Sequence, residues 1–155
     1  TTNSDSEIFV ADWGNDRIQK FSRDGKFLSK YGSSGRGDGQ FVRPSGVTVS
    51  QDGYIYVADW GNNRVKIFEP NGTVIGALYG DATELYEPIK TTIENSPTSS
   101  KAYARISDHS PLGRFNRPVA VKVDKTDRLF VVDSRRGRIQ IYAKDADYEA
   151  APITT

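Results

Sequence analysis

The sequence predicts an all-β fold of repeated four-stranded blades, and three observations predict it. One hairpin pattern occurs three times: Ile8–Phe21 reads IFVADWGNDRIQKF, Tyr54–Phe68 reads YIYVADWGNNRVKIF and Leu129–Tyr142 reads LFVVDSRRGRIQIY. The strand-ending Asp12, Asp59 and Asp133 then recur at spacings of 47 and 74 residues. Between the hairpins lie short apolar runs bounded by Gly, Pro and Asn, the residues that reverse a strand. A period in the forties, rich in strands and turns, is that of propeller blades.

Taken in order, Thr1–Glu7 is polar and expected to fray. Ile8–Asp12 is the first strand, the loop Trp13–Asp16 follows, Arg17–Phe21 returns, and a turn at Ser22-Arg23-Asp24-Gly25 leads into Lys26–Tyr31. This first blade, about 8–31, has no innermost strand before it. The second blade, 41–79, is complete: Pro44–Val49, a Gln51-Asp52-Gly53 turn, the hairpin, Pro70-Asn71-Gly72 and a last strand Thr73–Tyr79. Within it Ile55 and Val57 alternate with Tyr56 and Ala58 with hardly a charge, the pattern of a sheet covered on both faces. The third blade, 115–153, repeats the order with Pro118–Val123, Leu129–Asp133, Arg138–Tyr142 and a weak strand Tyr148–Ile153.

The stretch 81–114 is far longer than the connector Gly32–Gln40 and reads as a helical insertion. Leu85, Ile89 and Ile93, then Ala102 and Ile106, predict helices over Thr83–Glu94 and Ser99–Ile106, broken at Ser96-Pro97. A competing alignment sets Leu85-Tyr86-Glu87-Pro88 against Phe41-Val42-Arg43-Pro44 and makes Pro88–Ile93 an innermost strand. The 30 residues from Pro88 to Pro118 are too few for four strands and their turns.

Composition narrows the chemistry. With 21 basic and 20 acidic residues the net charge is +1, so there is no bulk field of the kind that drives nucleic-acid binding. Cysteine is absent, which removes disulfides, thiolate metal sites and cysteine nucleophiles. No apolar run approaches the roughly 20 residues of a membrane helix, so a soluble chain without membrane insertion is expected. The compartment stays open, a periplasmic or secreted setting being compatible.

The joined string F-x-x-P-x-G-V-x-V, D-G-Y-I-Y-V-A-D-x-G-N-x-R-V-x-x-F and N-G-x-V, from Phe41 to Val74, closely resembles the NHL repeat. The resemblance covers Ile8–Tyr79 and Phe115–Tyr142. It implies β-propeller blades, commonly six to a ring, in proteins that mostly act as interaction platforms. Two departures stand out: Pro118-Val119-Ala120 lacks the usual glycine, and Ser134-Arg135-Arg136-Gly137 replaces the Gly-Asn turn. About three blades make an incomplete arc, which implies that further blades of the same protein, or a second copy, complete the ring. Because Thr1 falls inside a repeat, a fragment of a longer propeller is the expected source.

In such a blade the loop after the second strand and the connector into the next blade emerge on one face. That face is expected to gather Trp13-Gly14-Asn15, Trp60-Gly61-Asn62, Arg135-Arg136-Gly137, the Gly32–Gln40 loop and the 81–115 excursion. Trp and Arg are the types most enriched in binding hot spots. Trp13, Trp60, Arg135 and Arg136 are therefore the candidate binding residues for a protein partner, although each Trp ring could equally pack over a blade edge. Arg17, Arg64 and Arg138 follow Asp12, Asp59 and Asp133 by five residues and read as structural turn pairs, whereas Arg135 and Arg136 have no Asp at that offset.

Other motifs carry less. Arg36-Gly37-Asp38 spells an adhesion tripeptide, in a loop whose glycines connector geometry explains. Asn71-Gly72-Thr73 is a formal glycosylation sequon that also reads as an Asn-Gly turn. The one histidine, His109, cannot supply several imidazole ligands, and no nucleophile elbow is present. The innermost strands offer only Asp124 to a calcium ion. No cofactor and no metal are called, catalysis is left uncertain and less favoured, and the alternatives are a piece of a lyase- or lactonase-like propeller or an RNA-binding NHL domain.

Overall fold

The structure, a computed structural model, describes residues 1–81, 91, 93–105 and 113–144. The described strands form three antiparallel sheets in chain order. The first holds β1 (Ile8–Asp12), β2 (Arg17–Phe21) and β3 (Phe27–Tyr31). After the short parallel pair β4 (Ser33–Ser34) and β5 (Gln40–Phe41) comes a four-stranded sheet of β6 (Pro44–Val49), β7 (Ile55–Asp59), β8 (Arg64–Phe68) and β9 (Val74–Leu78). The third holds β10 (Pro118–Val123), β11 (Arg128–Asp133) and β12 (Arg138–Ala143). Its expected last strand, 148–153, lies outside the described residues.

Each sheet is an up-and-down meander, and β6 packs between β1 and β10. The sheets bury both faces of the middle one. Toward the first sheet, Phe9 and Ile18 pack with Phe41, Ile55, Val57 and Phe68; toward the third, Ala58 and Val65 pack with Phe115, Val121, Leu129 and Val131. This two-sided burial is why Ile55 to Ala58 carries no charge. Close approach of β6 and β10 depends on Gly46, because a Cβ there would come within 3.2 Å of the Ala120 backbone. Ala120 holds the matching position in β10, so one of the two residues stays small but the other must be glycine.

Two expectations change. Thr1–Glu7 does not fray: Thr1 exchanges backbone hydrogen bonds with Phe9, Thr2 bridges Ile8, and Asn3–Glu7 repeats the turn of Ser50–Tyr54. Ser6 takes φ +61 where Gly53 takes +89, and the Asn3 side chain holds Glu7 through its N–H and carboxylate. Thr1 and Thr2 thus occupy the places of Thr48 and Val49, the last two of an innermost strand. A polar sequence hid this, because a strand end held by backbone bonds needs no apolar pattern.

The helix α1 runs Pro97–Ala104, beginning two residues before the expected Ser99. Ser96 precedes it and accepts from the Ser99 N–H at 3.3 Å through its hydroxyl and from Ser100 at 2.9 Å through its carbonyl. Ser96-Pro97 is therefore the expected break, Ser96 being the non-helical cap and Pro97 a first-turn proline, the N–H that proline lacks being one no helix uses there. Residues 91 and 93–95 are helical too, which overturns the strand reading of Pro88–Ile93 at those positions; 82–90 and 106–112, with His109, lie outside the described residues.

The hairpin turns share one geometry. Each is a 3₁₀ turn, Trp13–Asn15, Trp60–Asn62 and Ser134–Arg136, closed by Asp16, Asn63 or Gly137 at φ +51, +54 and +60. The left-handed residue is the fourth of each loop, an Asn or Gly in two of the three. Gly61 is instead needed for space: a Cβ there would overlap Val42, whose carbonyl accepts from the Gly61 N–H at 2.8 Å.

Candidate functional site

Two arrangements are built on one end of the sheets. The first is a node in which an aspartate and an arginine at opposite ends of a hairpin hold the incoming connector. Asp59 and Arg64 face each other in register across β7 and β8, with Arg64 Nε donating to Asp59 Oδ2 at 2.8 Å. Asp59 Oδ1 accepts from the Val42 N–H at 2.9 Å, while the Arg64 terminal nitrogens donate to the carbonyls of Arg36, Gly37 and Gln40. The third blade repeats this. Asp133 takes Arg138 at 3.1 Å and the Asn116 N–H at 2.7 Å, and Arg138 donates to the carbonyls of Gly113 and Arg114. Both aspartates are fully buried. Five guanidinium donors in a fixed fork allow one arginine to hold a carboxylate and several carbonyls together.

In the first blade the same pair, Asp12 with Arg17 at 2.8 Å, holds no connector among the described residues. Hydrogen bonds from Arg17 and then Asn15 hold the Asp12 carboxyl below its ordinary range.

The connector Gly32–Gln40 is clasped further. Lys66, buried in β8, reaches Asp38 at 2.8 Å, and the Gln40 side chain accepts from the Gly37 N–H. Asp38 is held below the usual carboxylate range by the Lys66 hydrogen bond and charge. The Arg36-Gly37-Asp38 tripeptide thus gives two carbonyls to Arg64 and its carboxylate to Lys66. Asp124 is likewise committed. Against the desolvation that pushes it up, hydrogen bonds from Arg128 and Thr126 hold it well below the usual range. In the Asn71-Gly72-Thr73 turn, Asn71 Oδ1 accepts from the Thr73 N–H at 2.7 Å.

The second arrangement is a row of alternating rings and guanidiniums. Trp13 and Trp60 lie with ring centroids 5.2 Å apart. The Arg43 guanidinium stands 5.9 Å from the Trp13 ring and 6.0 Å from that of Trp60, and Arg117 lies 4.3 Å over Trp60. The arginines reach this place because both adopt the left-handed region, φ +55 and +57, just before the prolines that open β6 and β10. That strained conformation is held by the preceding blade: the Arg43 N–H donates to Asp16 at 2.6 Å and the Arg117 N–H to Asn63 at 2.8 Å. Trp13 remains 42% exposed, so its ring is a surface feature although it also packs on its neighbour.

The candidate residues fall together only in part. Ser134 takes the third tryptophan's place and donates to the Arg117 carbonyl at 2.7 Å, while the Arg135 N–H donates to Asn116. Trp13, Trp60 and Arg135 are therefore on one end of the sheets with both connectors. Arg135 is exposed, whereas Arg136 is half-buried and engaged within the chain. Arg43 and Arg117 escaped the sequence reading; the signal was there in the shared Phe-x-Arg-Pro of Phe41–Pro44 and Phe115–Pro118.

Among the described residues no group of three or more His, Asp and Glu is placed to hold a metal. No described helix is long and apolar enough to cross a membrane. Residues 41–68 and 115–142 each match the NHL repeat. The chain carries NHL repeats. No curated protein matches its sequence.

Solved structures resemble the chain in fold. A streptogramin B lyase is 15% identical with a TM-score of 0.54, over 97% of this chain and 41% of its own. A Bacteroides thetaiotaomicron protein of unknown function is 18% identical at 0.60, over 90% of this chain and 32% of its own. A Staphylococcus aureus virginiamycin B lyase is 14% identical at 0.51, over 95% and 41%. The chain therefore spans about two fifths or less of these propeller proteins, and the likeness is one of fold.

Proposed function

We infer that this chain is a non-catalytic protein-interaction module whose binding surface is the row Trp13, Arg43, Trp60 and Arg117. The observation that supports this is the spacing of cations over rings on an exposed face, built at the expense of two left-handed arginines. A fold under no local demand would leave such backbone strain out. Stacked rings offer flat apolar area and the guanidiniums offer bidentate donors, so the fitting partner is an extended segment carrying carboxylates beside aromatic or apolar side chains. The exposed Arg135 extends the basic character of that face.

The test is fluorescence anisotropy with labelled acidic-aromatic, neutral and basic peptides of equal length, and with single-stranded RNA. Saturable binding of the acidic-aromatic peptide, weakened at least tenfold by Arg43→Ala with Arg117→Ala, supports the module. Preferential RNA binding with a steep salt dependence would replace it by a nucleic-acid role. A lack of binding to any probe would remove the face from consideration.

A further inference from the structure

The two grooves between neighbouring sheets are built from matching positions, yet only one of them is filled. The strand registers make Phe9 the counterpart of Tyr56, Tyr31 of Leu78, Ile55 of Leu129 and Phe68 of Tyr142. Between the first and second sheets, Phe9 and Phe68 are buried and Tyr31 packs on Phe68 with ring centroids 6.3 Å apart. Pro70 closes over Gly53 there, where a Cβ would come within 3.0 Å of the proline ring. Between the second and third sheets the matching space is a cavity of about 270 Å³. Tyr56, Leu78, Leu129, Tyr142, Asp127 and Lys144 line it, so its walls are the second and third sheets and the turns beside them.

Three replacements make the difference. Leu78 stands where Tyr31 does and removes a ring. Lys144 stands two residues past Tyr142, as Pro70 does past Phe68, and its ammonium is drawn aside to Asp52 and over the Tyr54 ring at 4.5 Å. Asp127 stands where Gly53 does, each N–H closing the same turn onto Ser50 or Asp124, and it adopts φ +57 where the glycine has +89. That turn therefore carries a carboxylate in a left-handed conformation which glycine would adopt without strain. Among the described residues Asp127 Oδ1 is buried with no hydrogen-bond partner, whereas Asp124 in the same turn is held by Arg128 and Thr126. A buried carboxylate oxygen left without a donor is costly, and in a residue that lines a cavity it marks where a ligand's donor belongs.

We propose that this cavity binds a small arylalkyl primary amine, with its ammonium on Asp127 and its ring against Tyr56, Tyr142, Leu78 and Leu129. A charged donor makes the strongest bond a carboxylate can accept, and the tyrosine faces attract the same cation. Lys144, the other charge on the lining, is committed to Asp52 and so leaves Asp127 to the ligand. The volume falls below that of pockets for drug-sized molecules, roughly 300–1,000 Å³, and suits a single ring on a short chain. The site is independent of the Trp and Arg row: Asp127 precedes β11, while Ser134, which follows that strand, lies at the other end of the sheets with Trp60.

The test is amide NMR of the 155-residue chain titrated with phenethylamine, and with phenethyl alcohol as the uncharged control. Saturable shifts are expected at the N–H groups of Tyr56, Leu78, Asp127 and Leu129, with Kd about 0.1–1 mM for the amine and at least tenfold weaker for the alcohol. Asp127→Gly copies Gly53 and relieves the left-handed backbone, so folding is not at risk, and it is expected to weaken the amine at least tenfold. Leu78→Tyr copies Tyr31, fills the groove and is expected to abolish binding. The proposal is overturned by no saturation up to about 10 mM, by an alcohol that binds as well as the amine, or by binding indifferent to Asp127→Gly or to Leu78→Tyr. Shifts confined to Trp13 and Trp60 would overturn it too, since the amine would then sit on the exposed rings at the opposite end.

Discussion

Asp12 with Arg17 and Asp59 with Arg64 are one pair in one register at one distance, 2.8 Å, yet the second is buried and the first is not. The difference lies outside the pair, in the connector that Arg64 clasps through three carbonyls and Asp59 through the Val42 N–H. The Asp-x-x-x-x-Arg spacing is therefore more than a turn device. It is half of a joint between blades, and the joint becomes dry only when the other half is seated.

The largest effect that could break this view comes from the buried joint. Asp59→Ala leaves the Arg64 charge buried without its carboxylate and the Val42 N–H without an acceptor, and is expected to cost about 3–5 kcal/mol in urea unfolding. Asp12→Ala, where water reaches both partners, is expected to cost only a small fraction of that. Equal losses at the two positions would mean that the pairs act as hairpin ties and that the connector adds nothing.

Next in size is the approach to the joint. Gly32 has φ +89 and a Cβ there would overlap the Phe41 ring, whereas Gly25, at φ +80, has open space around it. Gly32→Ala is expected to lose about 1–3 kcal/mol, since both the backbone and the packed phenylalanine resist it. Gly25→Ala is expected to lose less, the backbone alone being strained. Thermal unfolding of the two variants separates backbone strain from connector packing.

How far the sequence displayed this joint follows from what kind of constraint each part obeys. The hairpins and their Asp–Arg pairs were readable because β-pairing fixes side chains at a strict spacing and three copies show it. The row Trp13, Arg43, Trp60 and Arg117 was half readable. The tryptophans sit in the repeated turn, but the arginines reach them only through a left-handed backbone held by the neighbouring blade's Asp16 and Asn63, a long-range cause with no local pattern. Lys66 was hidden for a similar reason: it alternates like a solvent-facing strand residue, and burial follows from the connector that covers it with Asp38. Thr1 to Glu7 lacked both apolar residues and glycine, and Ser6 adopts the turn conformation without either signal.

A smaller effect probes the same connector by pH. The Lys66 hydrogen bond and charge lower the Asp38 carboxyl in the folded chain. A lowered carboxyl contributes stability that is full above its unfolded value, about 4, and is lost as pH falls through the folded one. Acidification below about pH 4 is therefore expected to loosen the Gly32–Gln40 loop before the sheets unfold. Hydrogen exchange at the Gly35 N–H, which donates to Phe41 at 2.9 Å, reads this directly. Lys66→Met is expected to remove the pH dependence, its apolar chain filling the same space without a charge to neutralise.

The smallest effect lies in the row of rings, where the two ends of the same pattern differ in distance. Arg117 is 4.3 Å from the Trp60 centroid, but Arg43 is 5.9 Å from that of Trp13, a ring 42% exposed. Attraction of a cation to a ring quadrupole falls steeply with distance and is weakened by water. A double-mutant cycle between Arg117 and Trp60 is accordingly expected to give a coupling of about 0.5–1 kcal/mol, and the Arg43 and Trp13 cycle less. Truncating to Leu at the tryptophans and to Met at the arginines keeps the apolar area, so that the cycle reads charge over ring rather than burial. If the two couplings prove equal, the row is held by its backbone bonds to Asp16 and Asn63 and the rings are passengers. Ser134→Trp supplies the missing third ring beneath the Arg117 carbonyl's present partner, and would break the Ser134 hydrogen bond of 2.7 Å. A loss of stability there, against a gain in binding of acidic-aromatic peptide, would show that the row stops at Trp60 because the joint of the third blade needs the hydroxyl.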